Sequence, residues 1–313
     1  MPAPDDTIST WPGAGTFGGS FGISPAIDGT NVAFNTDAFV FRWDGQNVYA
    51  VNTLTSPLPD APPDVKFAQI HSVAISGTEV AFSAAFRNDS SRGGVYATFD
   101  GQLRAVATTS TPVPGGTGTF AGFSRVSRSG DNVAFINASK QVASEWGRDT
   151  QYEGSGVYAS FGGAAPVVIA DTKTVPGVPG PSPFQTFREA VSISGRDVAF
   201  IGRQSGSNSG VFVGDGNTVT RAVTANPIPS RPGQWFWQMN EGLSFDGTDL
   251  SFGDNYLNAR VNGKMQVIAS YGMEAPDGRT FKFIDRSSAV DDGTIIFGAN
   301  TRYAAMGRSL SLE

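Results

Sequence analysis

The chain has 313 residues, among them 39 glycines, 19 prolines and no cysteine, with 39% hydrophobic and 16% charged residues. A net charge of −6 and a pI near 4.9 exclude a general electrostatic attraction to nucleic acid or anionic membrane, and the missing cysteine excludes disulfides and thiolate metal sites. No apolar run is long enough to span a bilayer as a helix, and no window of a dozen residues keeps a helical period without meeting glycine or proline, so an all-β chain is expected.

In chain order, a strand-like piece, Thr7 to Trp11, is followed by a Pro/Gly connector ending at Phe17. A hydrophobic triplet then recurs at intervals of 45 to 65 residues: Val32-Ala33-Phe34, Val80-Ala81-Phe82, Val133-Ala134-Phe135, Val198-Ala199-Phe200, Leu250-Ser251-Phe252 and Ile295-Ile296-Phe297. A turn precedes each one, at Asp28-Gly29, Ser76-Gly77, Ser129-Gly130, Ser194-Gly195, Asp246-Gly247 and Asp292-Gly293. Third strands are read at Phe39 to Gly45, Gly94 to Gly101, Gly156 to Gly163, Gly210 to Gly216 and Leu257 to Gly263, with Tyr303-Ala304-Ala305 in the sixth copy. Fourth strands follow, as at Leu103 to Thr108, Val167 to Asp171, Thr218 to Val223 and Met265 to Ser270. The clearest copy is Phe187 to Gly216. The Asp residues of the first turns, such as Asp28, Asp197 and Asp246, are assigned turn formation and no chemistry.

Six copies at this period predict a six-bladed β-propeller of four-stranded antiparallel blades. Approximate blades are 17–65, 66–118, 119–182, 183–234, 235–279 and 280–313 with 7–16, within a single domain. The sixth copy runs out before a fourth strand, so residues 7–11 are expected to close it and remove an open sheet edge.

The wording Gly94-Val95-Tyr96-Ala97 and Gly156-Val157-Tyr158-Ala159, with Pro112-Val113-Pro114-Gly115-Gly116 leading to Gly118-Thr119-Phe120, resembles repeats of secreted, surface-sorted bacterial propellers of uncharacterised function. Copies five and six depart from it. The resemblance implies a secreted, extracellular or periplasmic protein. Met1 to Pro4 carry no signal peptide, and a leader removed ahead of them is expected. A monomer without membrane insertion is expected, binding a glycan or small molecule and not nucleic acid.

In such propellers the first strand of each blade lines a central channel. Six and seven residues before each turn glycine, this implies a ring at the channel mouth containing His71, Glu189 and Glu241, with Arg188, Asn240 and Arg286; Asp285 is one step further back. Titratable groups gathered there suit general acid and base duty, and His71, Glu189, Glu241, Arg188 and Arg286 are the candidate catalytic residues. The competing reading is a set of salt bridges plugging the channel. Loops on the same implied face carry candidate substrate contacts: Trp146 and Tyr152 in an insertion between Ile136 and Gly156, then Arg203, Trp235, Trp237, Tyr256 and Arg302. Exposed aromatics suit sugar faces, and arginine forks suit carboxylates. The 17 arginines against 5 lysines fit geometric recognition better than a polybasic patch.

Three functions compete. The first is a carbohydrate-active or carbohydrate-binding propeller engaging an acidic, uronate-type glycan, as a polysaccharide lyase, a glycosidase or a binder, without a cofactor. The second is a Ca²⁺-dependent, lactonase-like hydrolase using Glu189, Asn240, Glu241 and Asp285 as oxygen ligands. The third is a non-enzymatic surface or matrix scaffold.

Overall fold

The recurring triplets form the second strands of antiparallel meanders in the computed structural model, each entered through a glycine turn. The structure describes residues 25–36, 39–52, 58–59, 66–86, 89–143, 150–177, 182–205, 209–224, 241–253, 256–276, 278–300 and 308–312.

Sheet one contains β1 (Ala26–Asp28), β2 (Asn31–Asn35), β3 (Val40–Trp43) and β4 (Val48–Ala50). Sheet two contains β5 (Phe67–Ser76), β6 (Glu79–Phe86), β7 (Asp89–Phe99) and β8 (Gln102–Thr108). Sheet three contains β9 (Phe123–Ser129), β10 (Asn132–Ala143), β11 (Thr150–Ser160) and β12 (Val167–Asp171). Sheet four contains β13 (Phe184–Ser194), β14 (Asp197–Gln204), β15 (Ser209–Gly214) and β16 (Val219–Thr224). Sheet five contains β17 (Glu241–Phe245), β18 (Leu250–Gly253), β19 (Tyr256–Val261) and β20 (Lys264–Ser270). Sheet six contains β21 (Phe283–Asp291), β22 (Thr294–Asn300) and β23 (Arg308–Leu312).

The fold class is that of a six-bladed β-propeller with antiparallel blades, and the described residues contain no helix. The third strand of sheet six is Arg308–Leu312, paired to β22, and not the Tyr303-Ala304-Ala305 segment expected from sequence. Residues 303–305, and the expected closing strand at 7–11, lie outside the described residues. The chain divides into two compact units, residues 1–152 with 156–168 and residues 153–155 with 169–313, each with cores of its own.

Sheets two, three and four each carry a three-ring module. In the first unit, Phe67 stands edge-on to Phe82 and Tyr96 at 5.3 and 5.1 Å, and those two stack at 5.7 Å. Sheet three repeats it: Phe120 is edge-on to Tyr158 at 4.9 Å and to Phe135 at 5.5 Å, over a Phe135–Tyr158 stack at 5.9 Å. In the second unit, Phe184 meets Phe212 at 4.7 Å and Phe200 at 5.7 Å over a stack at 5.8 Å. A phenylalanine at or just before the start of the first strand thus caps a stacked pair from the second and third strands, an arrangement that ring quadrupoles favour. Glycine two residues before the third-strand ring makes room for it. A Cβ would come within 2.8 Å of the Tyr96 ring at Gly94 and within 2.7 Å of the Tyr158 ring at Gly156.

Polar side chains clasp neighbouring sheets inside each unit. In the first unit, the Gly77 amide donates to Asp28 Oδ2 at 2.6 Å and the Gly130 amide to Ser76 Oγ at 3.0 Å. Arg128, whose side chain is 0% exposed, donates from sheet three to the Val80 and Thr98 carbonyls of sheet two. In the second unit, Ser194 Oγ donates to the Asp246 carbonyl at 2.7 Å, the Phe245 amide to Ser192 Oγ at 3.0 Å and the Val290 amide to Ser244 Oγ at 3.0 Å. Asp28 therefore does more than the turn role expected of it. Asp246 does keep that role, accepting from the Thr248 and Asp249 amides at 2.8 Å each. Asp44 and Asp215 close other turns in the same way, and the amides of Asn47 and Thr218 respectively are the largest cause of each carboxyl being held down at about 2.

Gly156→Ala is expected to lower unfolding free energy by about 1–3 kcal/mol through overpacking against Tyr158, and Phe120→Ala by about 3–5 kcal/mol. Urea titration of the two variants beside the wild type measures both, and an unchanged midpoint for Gly156→Ala contradicts the packing described.

Candidate functional site

The first strand of each of sheets two to six loses register in the same stretch of the repeat, four to eight residues before the turn glycine. On β5, Ile70 pairs with Ala84 and Ser72 with Ser83, which leaves His71 as an extra residue without a register partner. On β9, Ser124 and Arg125 together oppose Ile136. On β13, residues 188–190 oppose Ile201, so Arg188 and Glu189 lie in the bulge. On β17, Gly242 and Leu243 oppose Phe252, with Gly242 at φ +71° in the left-handed region glycine tolerates. On β21, residues 285–287 oppose Gly298, placing Asp285 and Arg286 in that bulge.

A bulge bends its strand and re-aims side chains, and bulges are over-represented beside functional sites. Of the candidate residues named from sequence, His71, Arg188, Glu189, Asp285 and Arg286 are bulge residues. Glu241 pairs with Gly253 at the edge of the β17 bulge, and Asn240 lies outside the described residues.

In the first unit, His71 is half-buried, and burial lowers its pKa from the ordinary value of 6.5. The ring makes no hydrogen bond or ion pair with any described residue, so it presents a neutral imidazole at neutral pH. Arg125, half-buried in the β9 bulge, is a candidate the sequence reading missed; it follows the ring position Ser124 by one residue. In the second unit, Arg188 and Glu189 are half-buried on β13. Exposed Arg203 on the adjacent strand β14 is paired with Thr186, two residues from Arg188.

Residues 19–145 match a family of unknown function, DUF7453. No curated protein matches the chain. Among solved structures, a gluconolactonase from Xanthomonas campestris is similar at 10% identity, over 90% of this chain and 84% of that one, with a TM-score of 0.44. A PQQ-bound aldose sugar dehydrogenase from Streptomyces coelicolor aligns at 10% identity over 92% of each chain, with a TM-score of 0.43. The β-propeller domain of the Trilobed protease from Pyrococcus furiosus gives 10% identity, 92% and 93% coverage and a TM-score of 0.39. Likenesses this distant carry no argument about chemistry.

The remaining expected contacts are dispersed. Tyr256 opens β19, half-buried and paired with Ser270, away from the β17 bulge in register. Trp146, Trp235, Trp237 and Arg302 lie outside the described residues. Tyr152 lies on β11, because the insertion expected as a loop is largely a lengthened hairpin in which β10 runs on to Ala143 and β11 begins at Thr150. Of the four oxygen ligands considered for Ca²⁺, only Glu189 has a described side chain, and among the described residues no three His, Asp or Glu groups gather as a metal would require.

An imidazole with a depressed folded-state pKa binds fewer protons folded than unfolded near pH 6. Stability should therefore fall as pH drops through 6.5 and show no His71 contribution above it. With one histidine in the chain, NMR titration is free of overlap. The expected midpoint is below 6.5, and a midpoint at or above that value contradicts the burial of His71.

Proposed function

We propose that the protein is an exported, glycan-binding propeller that takes an acidic, uronate-type glycan through side chains displaced at the first-strand bulges. The observation that carries this reading is the repetition of one bulge at one repeat position in five sheets, with titratable or guanidinium side chains on four of them. A purely structural irregularity would be filled as readily by small apolar residues.

The chemistry of the groups supports an anionic sugar. His71 offers a neutral imidazole that can accept from a hydroxyl, or take a proton in an elimination. In the other unit, Arg188 and Arg203 supply guanidinium forks on adjacent strands, a match to a carboxylate. Glu189 in the same bulge disfavours indiscriminate anion binding.

Calorimetric titration with oligogalacturonate, and with a neutral glucan of equal length as control, tests the reading. Binding to the uronate alone is expected, and Arg203→Ala should weaken it about tenfold, the loss of one charge-assisted hydrogen bond. Arg188→Ala, in the same unit as Arg203, should weaken it too. Equal affinity for the neutral glucan, or affinity unchanged in both variants, overturns the proposal. Growth of unsaturated-uronate absorbance would extend binding to elimination, with His71 as the base.

A further inference from the structure

Among the described residues, sheet six shows two rings of the three-ring module. Phe281, the connector ring, is edge-on to Phe297 at 6.1 Å, as Phe67 is to Phe82. The third position differs. Phe82 is paired in register with Tyr96 and Phe200 with Phe212, whereas the residue opposite Phe297 is Leu310. The steps Gly94-Val95-Tyr96 and Gly210-Val211-Phe212 become Arg308-Ser309-Leu310. A cavity of about 380 Å³ opens beside the two remaining rings, lined by Ile268, Met273, Glu274, Ala275, Phe281 and Phe297, together with Pro276.

The walls are built. Residues 271–276 and 278–281 pair as a small hairpin: the Gly272 amide donates to the Phe281 carbonyl at 2.8 Å, the Phe281 amide to the Met273 carbonyl at 2.9 Å, and Glu274 bridges Thr280. Phe281, Phe297 and Ala275 are each 3% exposed, while Met273, Glu274 and Pro276 stand at the surface. The cavity falls in the size range of small-molecule pockets, with an aromatic floor and one carboxylate at its mouth.

We propose that this cavity is a binding site for a small aromatic amine. The ligand's ring packs on Phe281 and Phe297, and its ammonium group meets Glu274. The site is separate from the first-strand bulges and does not depend on their function.

Ligand-observed NMR of the full chain with phenethylamine tests it. Saturable binding is expected, weaker for 3-phenylpropionate, whose carboxylate meets Glu274, and Glu274→Gln should reduce phenethylamine affinity about threefold, as for an exposed ion pair. Arg308→Gly with Leu310→Tyr restores the glycine-aromatic step and should abolish binding with the melting temperature held or raised. Met273→Trp, a surface change at the mouth, should also reduce binding and covers the case in which the double variant does not fold. Absence of saturable phenethylamine binding, or binding undiminished in both Met273→Trp and the folded double variant, overturns the proposal.

Discussion

The edge-to-face contact between a connector phenylalanine and a stacked pair of strand rings is the constraint on which the sheets depend. It ties three segments of one repeat: the entry connector, the second strand and the third strand. Burying each ring contributes roughly 1.5–3 kcal/mol, and each aromatic pair adds about 0.5–1.5 kcal/mol. The glycine of the Gly-x-aromatic step follows from this contact, because the ring at Tyr96 or Tyr158 occupies the space a side chain would need. In sheet five the constraint is relaxed, since the residue opposite Phe252 is Asn258, buried and donating to the Tyr256 carbonyl.

Stability and candidate function use different parts of the first strand. Near the turn, the hydroxyls of Ser76 and Ser194 and the carboxylate of Asp28 clasp the adjacent sheet, where a lost hydrogen bond costs about 1 kcal/mol. Four to eight residues before the turn glycine the register breaks, and polar side chains are released from the alternation that would fix them into one face or the other. His71 shows the consequence most simply: one extra residue between Ile70 and Ser72, half-buried, with its charged form disfavoured.

Much of the fold was legible in the sequence because it rests on local signals. Glycine turns, the Val-Ala-Phe triplets and the Gly-x-aromatic steps each read out from a few adjacent residues, and they placed the strands of the first five sheets closely. The third strand of sheet six was misplaced to Tyr303-Ala304-Ala305 because Arg308-Ser309-Leu310 carries no ring and no glycine to mark it. The candidate site was legible in position and not in geometry. Counting back from the turn glycine found His71, Arg188, Glu189 and Arg286, but no residue type announces that the backbone bulges there; only the register does. Arg125 escaped for the same reason, since a fixed offset cannot follow a strand that gains one residue in one copy and two in another. The cavity beside Phe281 was readable only as a missing ring.

Three of the clasps between sheets run forward along the chain: the side chain at the end of one repeat's first strand, Asp28, Ser76 or Ser194, engages the corresponding turn of the repeat that follows. Each such repeat therefore carries its own fastener and presents a receiver to the copy before it.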